Sequence, residues 1–299
     1  MKWQGRKQSA NVDDRRGQSS KGLGGGGMNP MMIGFLMKFL FSKTGLIIIG
    51  IVAIISFATG TNPLSFLGNI LGGGSQGFST EQNYTPTAAE DRLAEFSATI
   101  LADTEIVWNQ ELDNYREPTL VLFTESVASS CGNASSATGP FYCPGDEKLY
   151  IDLSFFQEME QELNAPGDFA QAYVIAHEVG HHIQKILGIT SEVDKLRGQI
   201  SQKEFNQYSV KLELQADFLA GVWAHHSQQA NGWMERGDLD EALNAANAIG
   251  DDRLQKQSSG RVVPDSFTHG TSAQRMKWFK KGFDSGDLKQ GDTFSTSDL

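Results

Sequence analysis

Proline is scarce in this chain, with eight residues in 299, and cysteine and histidine are scarcer, with two and six. Beside 39% hydrophobic and 10% aromatic residues, the low proline content excludes wholesale disorder and leaves enough apolar material for a real core. Positive charge is also short, since 25 Lys and Arg face 36 Asp and Glu. That deficit is uneven. Residues 1–43 carry eight Lys and Arg against Asp13 and Asp14, so they hold +6 and the remainder holds −17. An acidic body has little with which to neutralise phosphates, and no nucleic-acid partner is expected.

Charge is absent altogether from Thr44 to Thr61, a run that includes GLIIIGIVAIISFATG. About 20 residues cross a hydrocarbon core of roughly 30 Å, so residues 44–62 read as a single transmembrane helix. A buried core helix would show a polar stripe, and a cleaved signal peptide would not sit behind 43 residues. Positive flanking charge stays inside, which predicts a cytoplasmic N-terminus and an exported acidic body. Residues 2–27 hold few large apolar groups and end in four glycines, so they cannot bury enough surface to fold, and residues 1–43 read as a disordered basic cytoplasmic tail. Residues 63–85 read as a flexible linker and residues 86–299 as the folded domain.

Both cysteines, Cys131 and Cys143, fall in the exported part, in CGNASSATGPFYC. A disulfide is the expected state there, with a pair of unlinked loop thiols as the alternative. A cysteine zinc site is disfavoured, because no second Cys or His lies at ligand spacing nearby.

Periodicity supplies the coarse structure. Leu93, Phe96, Ile100 and Val107 recur at helical spacing, predicting an amphipathic helix over 87–111. TLVLFTESV and EKLYIDLSFF read as two strands flanking the cysteine loop. PGDFAQAYVIAHEVGHHIQKIL, FNQYSVKLELQADFLAGVWAHH and DLDEALNAANAIG then read as helices, the last with a capping box at Asp238 and Glu241 and a stop at Gly250. The fold class is α+β, helix-dominated, with a small β-sheet.

The first of these helices carries the chemistry. His177, Glu178 and His181 form H-E-x-x-H, in which positions i and i+4 share one helical face, so two imidazoles can grip one ion. Glu178, about 100° further round the axis, can reach a bound water as general base instead of acting as a ligand. Glu213 and Asp217 lie four apart on the later helix. They could supply a third ligand and a partner for a ligand histidine's free N–H, or could simply be a solvated face. His182, His225 and His226 read as structural.

VIAHEVGHHIQ with ELQADFLAG, preceded by GPFYCPGDEKLYIDLSFF, resembles the bacterial neutral zinc metallopeptidase family, a membrane-anchored, gluzincin-like group. The similarity covers residue 86 to the C-terminus and the single N-terminal span. It implies a zincin-like domain with one Zn²⁺ per chain on His177, His181 and Glu213, Glu178 as base, and a peptide or protein substrate. It also implies residence in the bacterial inner membrane as a single-pass protein with a periplasmic or extracellular catalytic domain. Related enzymes hold a donor near the metal to stabilise the oxyanion, which makes His269 a catalytic candidate beside the reading of a plain loop histidine. Arg275, six residues on, could pair with a carboxylate and pin the segment. Extended substrates often add to a sheet edge, so LYIDL or LVLF is the expected substrate-positioning strand. The alternative function is a noncatalytic, zinc-stabilised, membrane-tethered interaction domain. Three ligand candidates and a base, instead of four closing ligands, favour the enzyme.

Overall fold

The computed structural model describes residues 1–18 and 84–299. The expected span at 44–62 lies outside these residues, as does nearly all of the expected linker. Among the described residues, no helix is long and apolar enough to cross a membrane.

The domain is α+β and rich in helix. Its first strand, β1 (Val12–Asp14), precedes the described gap, and helix α1 (Ala88–Glu111) follows it. Strands β2 (Thr119–Phe123), β3 (Ser126–Ser129), β4 (Gly132–Ser135), β5 (Phe141–Cys143) and β6 (Lys148–Asp152) come next. Seven helices complete the order: α2 (Ser154–Gln161), α3 (Asp168–Ile186), α4 (Ile189–Lys195), α5 (Gln202–Asn231), α6 (Asp238–Ala248), α7 (Asp251–Ser259) and α8 (Ser272–Ser285).

The main sheet has the order β1-β2-β6-β5, with β1, β2 and β6 parallel and β5 antiparallel to β6. TLVLF and KLYID are almost wholly buried because both faces of the sheet are covered. Alternation divides their side chains: Leu120, Leu122, Leu149 and Ile151 join the large helical core. Val121, Phe123 and Tyr150 face the other way, against Val127 of the β3–β4 hairpin and Cys143. Cys143 is bonded to Cys131, so a disulfide ties the end of that hairpin to the edge strand β5.

Residues 1–18 correct the expectation of a disordered tail over 1–43. Trp3 is 8% exposed and packs edge-on against Phe96, with ring centroids 5.3 Å apart. Ser9 N–H donates to the Ala98 carbonyl at 2.9 Å. The ladder of β1 and β2 is framed by Leu120 N–H to Asn11 O and Arg15 N–H to Leu122 O, both 2.8 Å. Together with the stretch from Thr85 onward, these residues form one compact unit. Their local composition is too polar to bury much surface alone, and the order comes from pairing with a strand more than 100 residues away.

Helix α1 starts as expected, with a reciprocal capping box between Thr87 and Glu90. The box expected at Asp238 and Glu241 does not form. Gly237 occupies the cap of α6, and Glu241 instead accepts the Phe169 N–H at 3.0 Å, capping α3 across the helix interface. The N-cap residue of α3 is Gly167, which has no side chain to do this.

Two close helix crossings set the later geometry. A Cβ on Gly180 would lie 2.9 Å from the Ala216 carbonyl oxygen, so glycine there lets α3 approach α5. At Gly221 and Gly282, added Cβ atoms would lie 2.1 and 2.0 Å from the carbonyls of Phe279 and Phe218, bringing α8 equally close to α5. Helix α5 is therefore held between the helix of the H-E-x-x-H motif and the helix that carries Arg275.

Candidate metal centre

Helix α3 is buried along most of its length, with His177 and Glu178 only 6% and 8% exposed. The four-residue spacing puts His177 and His181 on one face, their ring centroids 4.8 Å apart. Helix α5 presents Glu213 opposite them. Its Oε2 lies 3.2 Å from His177 Nε2, and its Oε1 lies 3.4 Å from His181 Nε2. One ligand atom from each of the three residues falls within 4.8 Å of the others.

The far side of each imidazole fixes its tautomer. His177 Nδ1 lies 2.8 Å from Asp217 Oδ1 and His181 Nδ1 lies 2.9 Å from Gln184 Oε1. Asp217 as a carboxylate and Gln184 through its carbonyl oxygen can only accept at those contacts, so both Nδ1 atoms donate and both Nε2 atoms turn toward Glu213. Gln184 is itself oriented by donating to Leu212 O at 2.7 Å and Gln215 Oε1 at 3.1 Å.

Asp217 is fully buried and is clamped by Arg275, which is 2% exposed. Arg275 Nε donates to Oδ2 at 2.8 Å and Nη2 to Oδ1 at 2.9 Å, a two-pronged grip. Tyr173, one turn before His177, donates its hydroxyl to Asp217 Oδ1 at 2.5 Å. Burial alone would raise the Asp217 pKa, but Arg275 and then His177 outweigh it and hold the carboxyl below its usual range. Burial likewise pushes against ionised Glu213, and the two histidines hold it well below the ordinary glutamate value. For His177 burial favours the neutral ring, yet Asp217 and Glu213 draw its pKa up to about 9. His181 is raised against burial in the same way by Glu213.

This donor set fits a divalent cation. Two imidazole nitrogens and a carboxylate converge on one point, the two rings are held from behind by Asp217 and Gln184, and the carboxylates pull positive charge toward it. A second group, Asp168, Asp238 and Glu241, offers carboxylates alone, and Glu241 is already engaged as the cap of α3.

Replacing Arg275 with Met would leave Asp217 buried without its main counter-charge. Thermal or denaturant melts of the full chain are expected to show a loss of about 3–5 kcal/mol, with part of it recovered in Arg275→Lys. An unchanged melting curve would remove the clamp from this account.

The three expected ligands open onto a cleft of about 530 Å³ that also holds Glu178 and His269. Its walls include Pro140, Phe141, Pro144, Phe155, Val174 and Leu254. His269 is half exposed, with Nδ1 3.3 Å from Asp251 Oδ1. Asp251 Oδ2 accepts the N–H groups of Thr268, His269 and Gly270 at 2.7, 2.6 and 3.0 Å, which fixes the loop. The side-chain hydrogen bond to Asp251 is the main reason the His269 pKa is raised.

The expected substrate-positioning strands are corrected by the sheet order. LVLF belongs to β2, between β1 and β6, and LYIDL to β6, whose Leu149 and Tyr150 pair with β5 on the cleft side, so neither is an edge strand of the sheet. The strand beside the cleft is β5, whose Phe141 and Tyr142 line it. His182 ties that strand to α3: its Nε2 donates to Arg116 O at 2.5 Å and its Nδ1 accepts from the Tyr142 hydroxyl at 3.0 Å. His225 and His226 bond the carbonyls of Phe283 and Gly286, joining α5 to the end of α8.

A family described as "Putative neutral zinc metallopeptidase" matches residues 1–294. The chain is 49% identical over 99% of its length, and all of the relative's, to the uncharacterized protein YpfJ of Escherichia coli (strain K12). It is 42% identical over 65% of its length, and 68% of the relative's, to the uncharacterized protein Rv2575 of Mycobacterium tuberculosis (strain ATCC 25618 / H37Rv). No solved structure matches the chain significantly.

Proposed function

Because the chain belongs to the neutral zinc metallopeptidase family, we propose that it is a membrane-anchored zinc peptidase that hydrolyses peptide bonds with Glu178 as general base. The observation that carries this reading is the convergence of His177, His181 and Glu213 within 4.8 Å. Those three residues would hold one zinc per chain, which when bound would polarise the scissile carbonyl and activate water.

Glu178 borders the same cleft beside the two histidines. It would take a proton from the attacking water and pass it to the leaving amine. Asp217 and Gln184 would hold the ligand rings in register, and Arg275 and Tyr173 would hold Asp217. His269, backed by Asp251, would donate to the oxyanion as it develops. A substrate lying along β5 would find main-chain partners on that strand and an apolar wall beyond it, supplied by Phe155, Val174 and Leu254.

The apolar run at 44–62 would anchor the protein in the bacterial inner membrane. The Cys131–Cys143 bridge supports an oxidising compartment for the catalytic domain.

Peptide turnover by the full chain is expected to disappear on prolonged chelation and to return with added zinc, followed with a quenched fluorescent peptide mixture. Turnover indifferent to chelation would end the proposal.

A further inference from the structure

Taken with the proposed membrane anchor at 44–62, the place of β1 in the sheet has a consequence for how the chain meets the bilayer. We infer that residues 1–18 and residues 85–299 fold on the same face of the membrane. The inference rests on the reading of residues 44–62 as a membrane anchor, and it departs from the single crossing with opposed faces expected from the sequence.

A single crossing puts its two ends on opposite sides of roughly 30 Å of hydrocarbon. Paired strands lie about 4.8 Å apart. Val12, Asp13 and Asp14 stand in parallel register with Leu120, Val121 and Leu122, at one edge of the same sheet that reaches the cleft at its other edge, β5. One chain cannot satisfy both arrangements. Side chains reinforce the pairing: Asn11 Nδ2 donates to Glu105 at 2.9 Å and Glu117 at 2.8 Å, and Ser9 Oγ donates to Glu105 at 2.5 Å. Without β1, the edge of β2 would present unpaired backbone groups, and Trp3 would leave the core.

The basic flank is open to the same revision. Five of its eight cations, Lys2, Arg6, Lys7, Arg15 and Arg16, lie within residues 1–18. Arg15 pairs with Asp13, and Arg16 with Asp14 at 2.7 Å and with Asp91 of α1 at 3.1 Å. Arg6 lies over the Trp233 ring, 4.5 Å from its centroid. These charges belong to the surface of a folded domain, so they carry less weight as a signal for holding the N-terminus in the cytoplasm than a free tail would.

Lys7 and Lys256 are both exposed, and among the described residues no cysteine is free to react. Full-length Lys7→Cys and Lys256→Cys proteins would be treated, in intact spheroplasts, with a membrane-impermeant maleimide before and after the membrane is opened. The expected result is equal labelling of the two positions before opening. If both react only after opening, the shared face stands and the exported placement of the domain falls. If Lys256→Cys reacts in intact spheroplasts while Lys7→Cys waits for opening, or the reverse, the inference is overturned. Recovery of the protein in the soluble fraction would remove the membrane premise itself.

Discussion

Full-length Glu178→Gln protein is expected to keep its metal and its fold while peptide turnover falls by about 10²–10⁴-fold, the usual contribution of a positioned general base. That range corresponds to about 3–5 kcal/mol of transition-state stabilisation at 1.36 kcal/mol per decade. Glutamine retains the shape and one acceptor but cannot take the proton from water. The metal should stay because Glu178 is not among the three converging ligand groups. Zinc content and turnover measured on one sample separate the two roles. Retained zinc with undiminished turnover would assign the base elsewhere. Wild-type protein with zinc but no peptide turnover would favour a metal that only holds α3 against α5.

Much of the site was legible because it is local. His177 and His181 are related by helical spacing, as are Glu213 and Asp217, and each pair needs only its own helix to share a face. The meeting of those helices was less visible. It depends on Gly180 against Ala216, as the approach of α8 with Arg275 depends on Gly221 against Gly282, and the missing methyl groups matter only once the partner helix is known. Gln184 and Tyr173 lie on the motif helix itself, yet both are ordinary residues there until His181 and Asp217 give them a partner. For Arg275 a carboxylate partner was foreseeable, although its identity, 58 positions earlier in the chain, was not.

The sheet divides in the same way. Buried, β-branched runs marked β2 and β6, but strand order is a nonlocal property, so the cleft-side edge went to β5 and the opposite edge to β1. A polar, glycine-containing N-terminus looks disordered by composition because its order is borrowed from Leu120, Leu122 and Phe96. Glu241 misled for a related reason: its spacing to Asp238 suits a cap on its own helix, while its side chain caps the neighbouring one.

The central claim concerns the three ligand groups, and the second large effect falls on them. In Glu213→Ala protein, His177 and His181 would keep their positions on α3 but lose the carboxylate that completes the donor set. Two imidazoles alone hold zinc far more weakly than three protein ligands. Asp217 cannot substitute, since Arg275 occupies both its oxygens and its contact is with the opposite edge of His177. The protein should be purified with residues 1–18 present, because Trp3 and β1 belong to the core and the sheet. Metal analysis should find about one zinc per wild-type chain and little or none in Glu213→Ala protein that remains folded by circular dichroism. A folded wild-type chain that takes up no zinc, or a Glu213→Ala chain that binds it as tightly as wild type, would contradict the account.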